Sequence, residues 1–164
     1  MADRIVIMRD GHIEQIGSPD DVYHRSANMF VADFIGMPPT NFFEAEIEQK
    51  NGKLHLLNPH FDFTPTEHIA GLLKNYPKKQ VVIGIRPESI LLTDEKNALF
   101  ATQVLVTEPQ GSHQIISFQT EGGRIVKIIA PAQPKVSPGE TIYIQFKHDA
   151  MRFYDPDTTM AVEG

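Results

Sequence analysis

The run Gly36-Met37-Pro38-Pro39 constrains this chain more than any other short stretch. Glycine ends a helix readily by taking positive φ. Tandem prolines lack the N–H that a helix or ladder needs and push the preceding residue toward extended backbone. No regular element can be drawn through these residues, so an extended linker is expected here, made of Gly36, Pro38, Pro39 and Asn41. It marks a domain boundary between residues 1–36 and residues 37–164.

Before the break, Ile5-Val6-Ile7-Met8 and Ile13-Glu14-Gln15-Ile16 flank Asp10-Gly11, a strong hairpin signal. Gly17 ends the run. Ser18 then stands as an N-cap, with Pro19 at the first helical position and Asp20 and Asp21 in the first turn, where the helix dipole favours acids. A short helix begins there, carrying Val22 and Tyr23. A second is expected from about Ala27 to Phe34, with Phe30, Val31, Phe34 and Ile35 on one apolar face.

After the break the pattern turns to strands. Phe43 to Ile47 and Leu54 to Leu57 surround Asn51-Gly52, a second hairpin signal. Pro65 to Tyr76 reads as a helix, with Ile69, Leu72 and Leu73 on one face. Val81 to Ile85 is a strand that stops at Arg86-Pro87. Phe100 to Thr107, Gln114 to Gln119, Arg124 to Ile129 and Thr141 to Lys147 follow, separated by turns at Glu121-Gly122-Gly123 and Ser137-Pro138-Gly139-Glu140. Ile142, Ile144 and Phe146 alternate with polar residues, so the last strand has one buried face. Short strands between Gly/Pro turns predict a small barrel or sandwich, and a partly open five-stranded barrel of the oligonucleotide/oligosaccharide-binding (OB) type fits the count.

Composition removes several functions. The chain has no cysteine, so disulfide scaffolds, Cys-zinc sites and thiol nucleophiles are excluded. Its net charge of −6 is the wrong sign for a general nucleic-acid partner. No phosphate loop of the form G-x-x-x-x-G-K-S/T is present. The seven histidines form no helical i, i+4 pair and read as surface residues. Glu44, Glu46 and Glu48 would share one strand face. With no carbonyl-rich loop nearby to complete a cation site, that face reads as solvated. Ser112-His113 is not read as a nucleophile–base pair, because adjacent strand residues point to opposite faces. In Arg86-Pro87-Glu88, Pro87 ends a strand and the two charges read as solvated, with a subunit contact as the alternative.

Ala2 through Met8, Gly11, Ile13-Glu14-Gln15-Ile16-Gly17-Ser18-Pro19, Val22-Tyr23, Ala27-Asn28-Met29-Phe30-Val31-Ala32 and Phe34-Ile35-Gly36 together resemble the end of an ABC transporter nucleotide-binding domain. The spacing is that of the carbohydrate-importer ATPases, the maltose, multiple-sugar and glycerol-3-phosphate type. Gly84-Ile85-Arg86-Pro87-Glu88 resembles the hallmark of their C-terminal regulatory (TOBE) domain, and Asp155-Pro156-Asp157-Thr158 its tail. Ser18 stands for the usual Thr and Ser26 for a usual Pro, a change expected to matter little. Thr40-Asn41-Phe42 replaces a common Met-Asn-Phe, and Thr159 a frequent Gly.

The resemblance implies a mainly β fold. An OB-fold-like (TOBE) regulatory barrel at 37–164 would follow a β-hairpin and helices left at 1–36 from an α/β nucleotide-binding domain. It implies the C-terminal part of a longer ATPase whose ATP and magnesium are held upstream, with no cofactor or metal in this stretch and no catalytic residue; His12 lies in a hairpin turn and is not the family's switch histidine. Gly84, Arg86, Pro87 and Glu88 become subunit-contact or regulatory residues. The implied partners are a second copy, the membrane permease subunits and a sugar-uptake regulator, and the implied location is the cytoplasmic face of the plasma membrane. The cargo would be a sugar or glycerol 3-phosphate. The alternative is a barrel that binds a small oxyanion or sugar; an intact hydrolase is a third reading, which ATP turnover by the purified chain would support. An isolated 1–36 segment would expose apolar surface and strand edges, so it is expected to pack on the barrel or on a second chain.

Overall fold

A computed structural model describes residues 3–163; Met1, Ala2, which opens the resembling stretch, and Gly164 lie outside the described residues. Strands β1 (Ile5–Arg9) and β2 (His12–Gly17) form the first hairpin, turning through Asp10 and Gly11 at positive φ of 49° and 81°. Val6 faces Ile16 and Met8 faces Ile13, and all four remain exposed. Ile7 points the other way and is buried with Val22 and Val31.

Helix α1 (Pro19–His24) starts as expected: Ser18 accepts the Asp21 N–H, satisfying one of the orphan donors of the first turn. Helix α2 is shorter than expected, Met29–Phe34, because Asn28 caps it by accepting the Val31 N–H. Its buried residues are Val31 and Ala32, while Phe34 is 62% exposed. The apolar face therefore does not include Phe34, which stacks on Phe30 instead.

Beyond Gly36, β3 (Asn41–Lys50) and β4 (Lys53–Asn58) form the second hairpin, through Asn51 and Gly52 at φ of 51° and 76°. Strand β5 (Phe61–Phe63) and α3 (Glu67–Lys74) follow, with Ile69 and Leu73 of α3 buried. Strands β6 (Gln80–Ile85) and β7 (Ile90–Thr93) flank a 3-10 turn at Pro87–Ser89. The stretch expected as one strand from Phe100 to Thr107 is two, β8 (Phe100–Gln103) and β9 (Val106–Pro109), in different sheets. The chain changes sheets at buried Val104, whose N–H donates to Glu140 O at 2.9 Å, while Leu105 N–H donates to Ser117 O at 2.8 Å. Strands β10 (His113–Gln119), β11 (Ile125–Pro131), β12 (Thr141–Phe146) and β13 (Arg152–Tyr154) complete the fold.

The strands after Gly36 make three sheets, in the orders β13-β6-β3-β4-β5, β7-β12-β8 and β11-β10-β9. A single five-stranded barrel holds too few strands for this. The late strands β12 and β13 return to pair with the earlier β7 and β6, so the two parts of the β region are interwoven. One apolar core joins all three sheets, including Leu56, Ile83, Ile116, Ile128 and Ile144. At its centre Phe43, Phe61, Phe100 and Phe146 meet with ring centroids 5.2–6.1 Å apart, a spacing that favours tilted and edge-on aromatic contacts.

Asn41 is not a linker residue. It is the first residue of β3, buried, and its amide donates to Lys127 O at 2.8 Å and accepts Lys127 N–H at 2.9 Å. The side chain thus supplies a pair of ladder-type bonds between two sheets.

The C-terminal tail folds back on both parts. Asp155 accepts Lys78 Nζ at 2.8 Å, Tyr76 Oη at 3.0 Å and the backbone N–H groups of Asp157 and Thr158. Thr159, where relatives of the resembled family often have Gly, sits at φ 63°. A β-branched side chain is strained there. The conformation is held by Thr159 N–H donating to Asp155 O and by Met29 N–H donating to Thr159 O, each 2.9 Å. Thr159→Gly is expected to keep these bonds and raise stability by about 1 kcal/mol, read as a higher urea midpoint; an unchanged or lower midpoint would mean that residue 159 carries no strain.

Candidate functional site

Arg86 leaves the end of β6 and is 8% exposed, so its guanidinium is enclosed by protein. Nη1 donates to Ala32 O at 3.0 Å and also to Ile35 O; Nη2 donates to Tyr23 O at 2.8 Å and reaches Ser26 Oγ at 3.5 Å. The guanidinium lies over the Tyr23 ring, 4.1 Å from its centroid, an attractive cation–π geometry. These acceptors are carbonyls near the ends of α1 and α2, where helices leave C=O groups unpaired and partial negative charge accumulates. A planar guanidinium can reach several of them at once, which an ammonium cannot. Burial pulls Arg86 below the ordinary guanidinium range, while Tyr23, Tyr154 and Glu88 act in the opposite direction.

The reading of Arg86 as a solvated charge is therefore overturned, while Glu88 is exposed as read. Pro87 is buried in its 3-10 turn, and Glu88 accepts the hydroxyl of Tyr23. Gly84 is required by contact: a Cβ there would come within 2.7 Å of Tyr154 Cε2, and Tyr154 is itself fully buried. Gly36 is required twice, by φ of 107° and by Arg86 Nη1, which would lie 3.1 Å from an added Cβ. Pro38 and Pro39 lie in the short stretch that carries the chain from Gly36 to β3.

Residues not read as site residues from the sequence complete the seam. Ser26 is buried and donates to Val22 O at 2.9 Å. Arg152 Nε donates to Ser26 O at 2.9 Å. Thr40 Oγ1 donates to Ala32 O at 2.7 Å. Backbone pairing adds to these: Ala161 N–H donates to Ala27 O at 2.9 Å. Ala32, Val82 and Tyr154 form a small core across the same seam. The expectation that residues 1–36 pack on the barrel is met.

Elsewhere, Ser112 and His113 do touch, Oγ to Nδ1 at 3.3 Å, because Ser112 lies in the turn before β10 rather than in the strand. Ser112 is exposed and His113 half-buried, and no third polar side chain among the described residues orients the imidazole, so the contact lacks the base–orienter relay of a nucleophilic site. Glu44 and Glu46 face solvent. Among the described residues no group of three or more His, Asp or Glu side chains is placed to hold a metal ion, and no helix is long and apolar enough to cross a membrane.

Comparison with known proteins agrees with this architecture. Residues 36–90 match the MalK OB fold domain and residues 83–153 match the TOBE domain. The chain is 36% identical to the ABC transporter ATP-binding protein YurJ of Bacillus subtilis over 99% of its length and 46% of that protein. It is 36% identical to y4oS, another ABC transporter ATP-binding protein, of Sinorhizobium fredii, over 100% of its length and 42% of that protein. It is 32% identical to the oligosaccharides import ATP-binding protein MsmX of Bacillus subtilis, over 99% of its length and 45% of that protein. The chain thus spans less than half the length of the curated relatives it matches. In fold it is similar to the cytoplasmic molybdate-binding protein ModG, with TM-score 0.53 at 16% identity, over 71% of this chain and 96% of that one.

Arg86→Ala would strand the carbonyls of Tyr23 and Ile35 and leave Ala32 O to Thr40 alone, and is expected to lower stability by about 3 kcal/mol in urea unfolding. Arg86→Lys keeps the charge but not the fork and should recover less than half of that loss; full recovery would show that charge alone suffices. A second expectation concerns alkaline pH. Burial, then the bond to Glu88, pushes the Tyr23 phenol up to about 12. Its contribution is complete below the unfolded value of about 10 and is lost as pH rises through about 12. Tyr76, also raised to about 12, behaves the same way through burial and Asp155. Replacing both with Phe should flatten the fall in stability across that window; an unaltered fall would assign it to other groups.

Proposed function

Because the chain belongs to the ABC transporter ATP-binding protein family, carrying the TOBE and OB-type domains of its C-terminal region, we propose that it is the non-catalytic coupling and interaction module of a bacterial importer's ATP-binding subunit. The observation that carries this reading is the Arg86 fastening. It grips both helices of the segment resembling the end of the nucleotide-binding domain, so a displacement of those helices is transmitted to β6 and the barrel core.

The exposed apolar face of the first hairpin, made of Val6, Met8, Ile13 and Ile16, supports the same reading. It is the surface on which an upstream part of a longer chain would pack. The residues present do not fit ATP with magnesium: the sequence has no phosphate loop, the Asp10-Gly11 turn is a two-residue hairpin rather than a cradle, and no carboxylate cluster among the described residues could hold the metal. Nucleotide and metal are assigned to the upstream part, and no hydrolytic step to this chain.

Oligosaccharides are the proposed cargo, ahead of glycerol 3-phosphate, on the likeness to MsmX. The proposed partners are a second copy through the barrel, the permease subunits and a sugar-uptake regulator, at the cytoplasmic face of the membrane. A barrel contact that persists through the transport cycle would keep two ATPase halves at high effective concentration. Sedimentation of the purified chain over a range of concentrations is expected to show reversible self-association without ATP turnover. A strict monomer at every concentration would remove the dimer role, and turnover above buffer would overturn the non-catalytic assignment.

A further inference from the structure

A cavity of about 1130 Å³ opens along the seam between the N-terminal segment and the barrel. That is at or above the upper end of ordinary ligand sites, about 300–1,000 Å³. One wall comes from Tyr23 to Ser26 at the end of α1; the opposite wall comes from α3 and from the 3-10 turn His148–Ala150. We propose that this cavity binds a neutral polyhydroxylated ligand, an oligosaccharide, that bridges the N-terminal segment and the barrel.

The chemical class follows from the charges. Arg86, Arg152, Glu88 and Glu163 line the cavity but are engaged within the chain. Arg86 lies on backbone carbonyls, Glu88 accepts from Tyr23, and Arg152 donates to Glu163 at 2.7 Å. The remaining charges are Arg25 and Lys147 against Glu67 and Asp149, all exposed. Arg25 has only a 3.9 Å contact to Asp21, and the other three make no ion pair among the described residues. Two exposed cations and two exposed anions on the lining balance in charge, giving no net field to concentrate an anion or a cation. They offer both strong donors and strong acceptors along the lining, which suits hydroxyl groups that donate and accept at once. Gly71, Leu72, Met151 and Val162 supply apolar wall between them, where the C–H faces of a sugar ring can lie.

A ligand spanning both walls binds only while the seam is closed, so it stabilises the closed arrangement by mass action. The choice of a sugar over another polyol rests on the importer reading above; the charge balance of the cavity does not. In the intact subunit, imported sugar would thereby tighten the joint between the ATPase end and the barrel.

The test is an NMR titration of the isotope-labelled chain with maltotriose, with glucose 6-phosphate and inorganic phosphate run in parallel. Saturable shifts confined to amides around Arg25, Glu67, Gly71 and Met151 are expected for maltotriose, with at least about tenfold weaker response to inorganic phosphate. Lys147→Ala and Asp149→Ala change exposed side chains and should each weaken maltotriose binding about tenfold while leaving the unfolding midpoint in place. No saturable shift with maltotriose, equal or tighter binding of inorganic phosphate, or full affinity in both variants would overturn the proposal. Because the titration needs no ATPase, its failure leaves the coupling role untouched, and a monomeric chain in sedimentation leaves this site untouched.

Discussion

A buried positive charge organises this molecule. Placing a guanidinium where it is enclosed by protein costs several kcal/mol unless hydrogen bonds replace the lost water. Here the replacements are backbone carbonyls of Tyr23, Ala32 and Ile35, drawn from a stretch of chain some fifty to sixty residues away. The carbonyls are available only because α1 and α2 are short and end just there. The Arg and the helix ends satisfy each other's unmet needs, so neither half of the contact is stable alone. Gly36 and Gly84 clear the space: one keeps the backbone beside the guanidinium, the other admits Tyr154 against β6.

This places the coupling element where the two domain matches overlap. Residues 83–90 belong to both the MalK OB fold domain match and the TOBE domain match, and they hold the end of β6, Arg86, Pro87 and Glu88. The same β6 is paired with β3 on one side and β13 on the other, so it sits inside its sheet rather than at an edge. A pull on the N-terminal helices therefore reaches an interior strand directly. The tail makes a second tie, with Ala27 and Met29 paired to Ala161 and Thr159 and the whole turn anchored on Asp155. The seam is closed by side chains at one end and backbone at the other, and the cavity lies along it.

Local signals were legible where local rules decide. Asp10-Gly11 and Asn51-Gly52 made the hairpins they announce, and Ser18-Pro19 capped α1. The strands at Val81, Gln114 and Thr141 followed from apolar runs between turns. What was hidden depends on distant partners. Nothing near Arg86 in the chain says that carbonyls of residues 23–35 will surround it, so by base expectation a charge after a strand belongs in water. The same holds for Ser26, Arg152 and Thr40, whose partners lie across the seam, and for Asn41, which bonds to Lys127. The split at Val104 was missed because a sheet change leaves no break in hydrophobicity. Strands β5 and β13, three residues each, are too short to show a period. Thr159 read only as a departure from a frequent family Gly, and its φ of 63° shows in the structure alone.

Native-state hydrogen exchange tests the central claim most directly, because it reports whether two parts of a chain open together. If the Arg86 seam joins the N-terminal segment to the barrel, the α2 amides of Val31 and Ala32 and the Ile35 amide open with the same free energy as the β6 amides in the barrel core. If those amides instead exchange at low protection while β6 remains fully protected, the N-terminal segment is only tethered to the barrel, and the coupling account fails.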